Sequence, residues 1–297
     1  MDITLQEFTK RLADRNYIAE QEILLTVFLA LSLGKPLLIE GEPGVGKTEI
    51  AKVLAQIFDT ELIRLQCYEG LDETKALYEW DYQRQLLKIQ LTKDTTGSAL
   101  AEAQLFSAEY LLARPLLRAL QSTKPPVLLI DEIDKTDEEF EAFLFEVLSD
   151  FQVSIPEMGT VRAQSIPMVV LTSNGERELS DGLKRRCVYL YINYPSLEKE
   201  MQIINAKVPQ LGPVLAQQLA GVMYHLRQQV QLRKKPSISE TLDWARALIL
   251  MDVERLSPDI VDQTMNVFLK NKEDLDLVRD QIGAQQLIQQ GQVHCKG

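Results

Sequence analysis

The spacing of apolar side chains predicts alternating helices and strands up to about residue 195. Apolar positions recur at helical spacing over residues 17–33 and over "TEIAKVLAQIF" (48–58). Between them lies "PLLIE" (36–40), a short continuous apolar run that is typical of a buried strand. Further strand-like runs occupy residues 61–68, 125–134, 151–174 (a hairpin leading into a strand) and 187–195. Strands that alternate with helices predict an α/β fold with a parallel sheet flanked by helices.

After Pro195 the strand pattern stops and apolar stripes at helical spacing replace it. These stripes run through residues 215–230, 242–249 and 261–268. We therefore expect an α/β domain over residues 1–195 and a small, all-helical lid domain over residues 196–297. The Gln-rich stretch beyond residue 281 is expected to be poorly ordered.

Charge and cysteine usage limit the kind of protein and its location. The formal net charge is -11 over 297 residues, which disfavours general binding to nucleic acid. Cys67, Cys187 and Cys295 are far apart and form no CxxC, so we expect neither a disulfide framework nor a zinc site. The N-terminus lacks the apolar core of a signal peptide, and no apolar run approaches the roughly 20 residues of a membrane span. We expect a cytoplasmic protein without membrane insertion.

The stretch "GEPGVGKT" (41–48) fits the phosphate-loop pattern GxxxxGK[ST]. Glycines allow backbone N–H groups to converge on phosphates, and the N-terminus of the following helix adds a positive dipole. Lys47 would place its charge on the β- and γ-phosphates of ATP, and Thr48 would give its hydroxyl to Mg²⁺. The alternative is a glycine-rich turn that matches by chance, but the strand before it and the helix after it favour a phosphate loop. The residues expected to bind the nucleotide are Gly41, Glu42, Pro43, Gly44, Val45, Gly46, Lys47, Thr48 and Glu49.

A second motif, the acidic stretch "VLLIDEID" (127–134), reduces the number of reactions that the phosphate loop would allow. The buried strand would deliver Asp131 to the edge of the sheet, where its carboxylate can hold Mg²⁺, and Glu132 could polarise an attacking water. The alternative is an acidic cluster at a helix start with Thr136 as its cap. That alternative suits the acidic residues that follow, which are Asp134, Asp137, Glu138 and Glu139. The chain has no N/TKxD motif, so a GTPase is disfavoured.

The order of these motifs resembles an AAA+ ATPase over roughly residues 17 to 270, and within that superfamily the MoxR family. The stretches that carry the resemblance are "NYIAEQEILLTVFLALSLGKPLLIEGEPGVGKTEIAK", "RLQCYEGLDETKALYEWDYQRQLL" and "TSNGERELSDGLKRRCVYLYINYP". The subgroup linked to carbon monoxide dehydrogenase maturation looks most similar.

The resemblance implies further site residues and a ring. Asn174 matches a sensor residue that helps to place the attacking water, although an Asn-Gly turn would give the same sequence. Arg185 or Arg186 matches the arginine finger that a neighbouring subunit inserts, although "KRR" is also typical of a solvated basic surface. Counting back from Pro195 favours Arg185. The family's usual assembly implies a homo-oligomer, normally a hexameric ring.

The chain also departs from the family pattern. Glu240 stands at or near the place where MoxR proteins often carry a sensor arginine, and Arg246 is a weak substitute about two turns later. Residues 88–110 and 153–167 exceed a minimal core and fall where the family inserts hairpins. These hairpins are expected either to face the ring pore or client or to be passive surface loops.

The resemblance therefore implies Mg²⁺-dependent ATP hydrolysis by a chaperone or remodeller. Its relatives assemble or activate a protein complex or metalloenzyme, usually with a von Willebrand factor A (VWA) domain partner. The alternatives are an AAA+ motor acting on nucleic acid and a P-loop small-molecule kinase.

Overall fold

The computed structural model describes residues 3–96, 105–156 and 158–294. Contacts divide this part of the chain into two compact units. The first comprises the described residues up to Arg11, Glu20–Glu40 and Lys47–Tyr191. The second comprises Leu12–Ala19, Gly41–Gly46 and the described residues from Ile192 onward.

The first unit is built on a five-stranded sheet. Its strands are β1 (Leu37–Gly41), β2 (Leu62–Gln66), β5 (Val127–Asp131), β8 (Met168–Ser173) and β9 (Val188–Ile192). Their order across the sheet is β2-β5-β8-β1-β9. The pairs β2–β5, β5–β8 and β8–β1 are parallel. The predicted α/β fold with a parallel sheet is confirmed.

Helices and short strands connect and cover this sheet. The helices of this part of the chain are α1 (Leu5–Ala13), α2 (Gln21–Ser32), α3 (Lys47–Ile57), α4 (Glu73–Leu77), α5 (Tyr82–Thr96), α6 (Pro115–Gln121), α7 (Glu138–Asp150) and α8 (Asp181–Arg186). Side chains of α6 and α7 pack in one apolar cluster with Leu38, Ile130 and Leu171, which lie opposite one another on β1, β5 and β8. The neighbouring strand positions Leu37, Leu129 and Val170 are also buried. Burial on both faces explains why the strands read as continuous apolar runs.

Two small antiparallel sheets of two strands each accompany the main sheet. The strands β3 (Tyr78–Trp80) and β4 (Leu111–Ala113) pair with each other, as do β6 (Gln152–Ile155) and β7 (Gly159–Arg162). The hairpin expected within residues 153–167 is therefore present. The hairpin expected within residues 88–110 is not seen where the chain is described, because its first part continues α5 to Thr96. Residues 97–104 of that stretch lie outside the described residues.

The second unit contains helices packed around an apolar core. They are α9 (Leu197–Lys207), α10 (Pro213–Gln229), α11 (Ile238–Leu250), α12 (Pro258–Phe268), α13 (Lys272–Leu277) and α14 (Ala284–His294). Trp244 packs on Phe268 with ring centroids 4.3 Å apart, and its indole N–H donates to Thr264 Oγ1 at 2.8 Å. The helical stripes predicted for this part of the chain are thus confirmed, while the domain boundary at residue 195 stays a prediction.

A buried ion pair ties the start of α11 to its neighbours in the second unit. Arg227 and Glu200 have side chains 2% and 0% exposed, and their Nη1 and Oε2 atoms lie 2.6 Å apart. The same guanidinium donates to Thr241 Oγ1 and to the Pro236 carbonyl. A buried charge needs such partners, because an unpaired one costs several kcal/mol.

The expectation that the chain beyond residue 281 is poorly ordered is wrong. Residues 284–294 form α14, and Leu287, Ile288 and Gly291 on it are buried. Leu287 and Ile288 supply an apolar face that the Gln-rich composition obscures. Among the described helices, none combines the length and the apolar character needed to cross a bilayer.

We predict that Gly291→Ala destabilises the second unit. A Cβ at Gly291 would lie 2.7 Å from the Val222 backbone nitrogen and 2.9 Å from the Gly221 carbonyl carbon, so α14 would have to move away from α10. The expected loss in the free energy of unfolding is about 1–3 kcal/mol, measured by urea denaturation. Gln290→Ala, an exposed change one residue away, is the matched control. Equal stability of the two variants would contradict the close approach of the helices.

Candidate functional site

The loop over residues 41–46 has a backbone that requires glycine. Gly44 and Gly46 have φ angles of 76° and 98°, in the region that other residues rarely adopt. A Cβ at Gly44 would also lie 2.3 Å from the Cβ of Ser237. The loop follows β1 and α3 begins at Lys47, which is the strand–loop–helix order that the sequence predicts. Glu42 and Pro43 are exposed, and Glu49 forms an exposed ion pair with Lys52 in α3.

Lys47 and Asn174 meet at the carboxyl edge of the sheet. Lys47 is 6% exposed, and its ammonium group donates to Asn174 Oδ1 at 2.7 Å. Asn174 comes directly after β8, which brings it to the same edge as the start of α3. A buried ammonium group needs such an acceptor. Two residues 127 positions apart, which the sequence assigned to the same task, are thus in direct contact.

Asp131 is the most heavily bonded side chain of the site. Its residue is 3% exposed, and Oδ1 accepts hydrogen bonds from Thr48 Oγ1 at 3.1 Å and Thr172 Oγ1 at 2.6 Å. Oδ2 accepts from Arg64 Nε at 3.0 Å and from Arg64 Nη2 at 2.5 Å. Mg²⁺ prefers oxygen ligands and is usually held through one or two carboxylates together with substrate phosphates. The adjacent Thr48 hydroxyl and Asp131 carboxylate therefore fit a magnesium ion.

Glu132 has an unusual backbone and a tethered side chain. Its φ of 59° lies in the left-handed region, which costs a non-glycine residue on the order of 1–3 kcal/mol. Its N–H donates to Thr172 Oγ1, so that hydroxyl joins Glu132 to Asp131. Oε2 accepts from Gln66 Nε2 at 3.0 Å and from Lys135 Nζ at 2.6 Å. The hydrogen bond to Glu132 raises the pKa of Lys135, so the lysine is protonated at neutral pH.

The sequence places Asp134 in an acidic cluster at a helix start, and this prediction is wrong. It is 4% exposed, and its Oδ2 accepts from the backbone N–H groups of Asn174 and Glu176 at 3.0 Å. Asp134 therefore fixes the chain after β8, where Asn174 is presented. The helix-start reading holds for Glu138 and Glu139, which lie in the first turn of α7.

The cap of α7 also differs from the sequence expectation. Asp137 caps this helix by accepting from the Phe140 N–H at 2.8 Å. Thr136, the expected cap, instead donates its hydroxyl to the Ile133 carbonyl. Both residue types suit a helix start, so the sequence alone did not separate them.

Cys67 lies near the acidic residues of the site, but its thiol is unreactive. Burial, with Asp131, Asp134 and Glu132 nearby, raises the pKa of its thiol to about 12. Because the thiolate is the nucleophilic form, this cysteine is inert at neutral pH.

The two candidate arginines differ in their surroundings. Arg186 stacks on Phe145 with its guanidinium carbon 3.2 Å from the ring centroid, and its Nε donates to Ser149 at 2.7 Å. Arg185 is exposed, and among the described residues no hydrogen bond or ion pair is assigned to it. Arg186 is therefore engaged within its own chain, while Arg185 faces solvent.

In the second unit, Glu240 has a structural role. It forms a capping box with Ser237 at the start of α11, in which each side chain bonds the other residue's backbone N–H. Arg246 forms an exposed ion pair with Asp243 at 2.9 Å. Glu240 and Arg246 are thus both engaged by residues at the start of α11 or within it.

Sequence reasoning missed Arg64, Gln66, Lys135 and Thr172. The first two alternate with buried Ile63 and Leu65 on β2, so the period-two pattern could have marked them as side chains on one face of a strand that ends at the site. Thr172 interrupts the apolar run of β8 two residues before Asn174. A hydroxyl buried in a strand needs partners, and that was the available signal.

We predict that Thr172→Val lowers stability. Valine keeps the shape of threonine but leaves the Glu132 N–H without its acceptor and removes one donor to Asp131. The free energy of unfolding should fall by about 1–3 kcal/mol, measured by urea denaturation. Thr160→Val, at an exposed position on β7, is the matched control and should change little. A Thr172 variant as stable as the Thr160 variant would show that these hydrogen bonds contribute nothing.

Comparisons with known proteins agree with this geometry. The family model for the AAA domain (dynein-related subfamily) matches residues 36–187, just over half of the chain. The protein YojN of Bacillus subtilis (strain 168) is 28% identical over 206 residues, which cover 67% of this chain and 61% of YojN. YeaC of the same organism is 23% identical over 238 residues, which cover 76% of this chain and 65% of YeaC. The chain thus spans less than two thirds of the length of either relative.

A solved structure supports the fold. The RuvB Holliday junction branch migration motor of Thermotoga maritima is similar with a TM-score of 0.50 and 18% identity, covering 89% of this chain and 77% of that chain. This identity is low, so the likeness concerns the fold alone. The family match includes both β1 with its loop and the strands that carry Asp131 and Asn174. The chain therefore belongs to the AAA domain family, dynein-related subfamily.

Proposed function

We propose that this chain hydrolyses ATP with Mg²⁺ in a ring of identical subunits and uses the energy to remodel a partner protein. The observation that carries the proposal is the meeting of Lys47 with Asn174, and of Thr48 with Asp131, at one edge of the sheet. Each pair joins a residue at the start of α3 to a residue at the end of another strand. A glycine turn that matched the phosphate-loop pattern by chance would not bring these partners together.

The roles of the residues follow from their chemistry. Lys47 would neutralise the β- and γ-phosphates, and Asn174, which now accepts from Lys47, would hold the attacking water. Thr48 and Asp131 would hold Mg²⁺, which supplies charge neutralisation as the γ-phosphoryl group leaves. Glu132 would accept a proton from the water, and its contacts with Gln66 and Lys135 hold the carboxylate in one orientation until nucleotide is bound. The backbone N–H groups of residues 41–46 would contact the phosphates.

Arg185 is the better candidate for an arginine finger. A finger must reach out of its own subunit, and Arg185 is exposed whereas Arg186 is held by Phe145 and Ser149. An arginine supplied by a neighbour is worth about 10³–10⁵ in rate, or roughly 4–7 kcal/mol of barrier. A single subunit would therefore be almost inactive, and hydrolysis would depend on the ring, which we expect to be hexameric.

The partner is proposed from the resemblance to MoxR proteins. These proteins act with a VWA-domain partner on protein complexes or metalloenzymes, and the sequence of this chain resembles the subgroup linked to carbon monoxide dehydrogenase maturation. The hairpin β6–β7 is a candidate surface for the client, because its strand β7 is largely exposed. The net charge of -11 disfavours the alternative of a nucleic-acid motor. A small-molecule kinase would not need the Asp131–Glu132 pair together with Asn174.

We predict that Glu132→Gln binds ATP but hydrolyses it at least about 100-fold more slowly, because the amide cannot accept the proton of the water. Phosphate release and nucleotide binding are measured separately, and Lys47→Ala, which should bind no ATP, is the control.

Phosphate must appear without a phosphorylated acceptor, which would exclude a kinase. Glu132→Gln with ATP should also retain a VWA-domain partner in a pull-down. Normal turnover by this variant would remove Glu132 from the chemistry.

We predict that Arg185→Ala abolishes hydrolysis and retains ATP binding, whereas Arg186→Ala loses less activity. In a mixture, Arg185→Ala subunits should regain activity with Lys47→Ala subunits, because each supplies what the other lacks across an interface. The measurement is phosphate release from each variant alone and from the mixture. Activity that stays at the sum of the separate variants would contradict a finger acting between subunits.

A further inference from the structure

Arg64 donates hydrogen bonds to the Asp131 carboxylate, which the proposed function assigns to Mg²⁺ binding. Its Nε and Nη2 both donate to Asp131 Oδ2, at 3.0 Å and 2.5 Å. Arg64 Nη2 also donates to Gln66 Oε1, two residues along the same strand, which holds the guanidinium plane in place. No motif predicts this contact, which pairs the buried Asp131 carboxylate with a half-exposed guanidinium group.

The acceptor capacity of Asp131 is fully used. Each carboxylate oxygen has about two lone-pair sites, and four donors reach them: Thr48 and Thr172 on Oδ1, and the two nitrogens of Arg64 on Oδ2. Mg²⁺ requires near-ideal octahedral geometry and keeps several of its waters, which donate to nearby carboxylates. Neither the ion nor its waters can reach Oδ2 while Arg64 holds it.

Arg64 is placed so that it can leave this contact. Its side chain is 53% exposed, whereas that of Asp131 is 4% exposed. It projects from β2, which is an edge strand of the sheet, so the guanidinium can turn into solvent. A divalent cation beside Asp131 would repel the arginine and take over its neutralising role.

We propose that Arg64 is a positioning residue that neutralises and orients Asp131 before nucleotide binds and is displaced by Mg²⁺. This role rests on the proposed function, because it takes Asp131 as the magnesium-binding carboxylate. Arg64 therefore raises the Mg²⁺ concentration that nucleotide binding requires. In exchange, it keeps a buried carboxylate paired in the absence of the metal.

The test compares Arg64→Gln and Arg64→Lys with Arg118→Gln. Arg118 also lies 53% exposed in an ion pair, with Glu61, and is the matched control. Binding of a fluorescent ADP analogue is titrated with free Mg²⁺, and its affinity is also measured in EDTA. The Mg²⁺ concentration at half-saturation should fall about threefold to fivefold in Arg64→Gln, the scale of a half-exposed ion pair. It should fall less in Arg64→Lys, which keeps the charge but not the forked donor, and should not change in Arg118→Gln.

The outcomes separate this role from its alternatives. Affinity in EDTA should be unchanged in Arg64→Gln, and a clear loss there would show that Arg64 binds the phosphates, which overturns the proposal. An unchanged Mg²⁺ midpoint in both Arg64 variants would overturn it as well. Thermal melts establish that each variant is folded, and the Lys variant carries the test if the Gln variant is not. If the natural chain bound no nucleotide in Mg²⁺, the proposed function itself would fail, and this role with it.

Discussion

The site depends on a buried carboxylate that is fully satisfied by hydrogen bonds. Asp131 is the last residue of β5, which lies between β2 and β8 in the sheet. An unpaired charge at this buried position would be costly. Four donors remove that cost, and they come from β2, α3 and β8. The carboxylate thus links β5 to the centre of β2, to the end of β8 and to the start of α3. This arrangement makes the carboxyl edge of the sheet a rigid place for chemistry.

The strain next to this carboxylate is stabilised by the same network. Glu132 has a left-handed backbone, and its N–H bonds to the hydroxyl that also binds Asp131. Asp134 binds two backbone N–H groups beyond β8 and so determines where Asn174 stands. The polar side chains buried at the strand ends therefore stabilise the strained backbone of Glu132 and fix the position of Asn174.

The sequence predicts the fold well because the fold depends on local patterns. Continuous apolar runs mark the strands of the sheet, and helical stripes mark the second unit. It also predicts which residues ought to converge, since "GEPGVGKT", "VLLIDEID" and "LTSN" each end or follow a strand. It does not predict the partners that each side chain chooses. Thr172 looks like any β-branched strand residue, and Arg64 looks like a surface charge, until the register of β2, β5 and β8 places them beside Asp131. The order of residues 284–294 was missed because two apolar residues and a glycine outweigh the glutamines around them.

The position of Arg64 on β2 has another consequence, which concerns solubility. An edge strand exposes unpaired backbone groups that can pair with another chain, and a charged side chain at its centre opposes this. Without that charge, "LIRLQ" would be interrupted only by its final glutamine, and an aliphatic residue in its place would leave four apolar residues in succession. The arginine that neutralises the carboxylate thus also places a charge on this edge strand, a feature that opposes pairing with a strand of another chain.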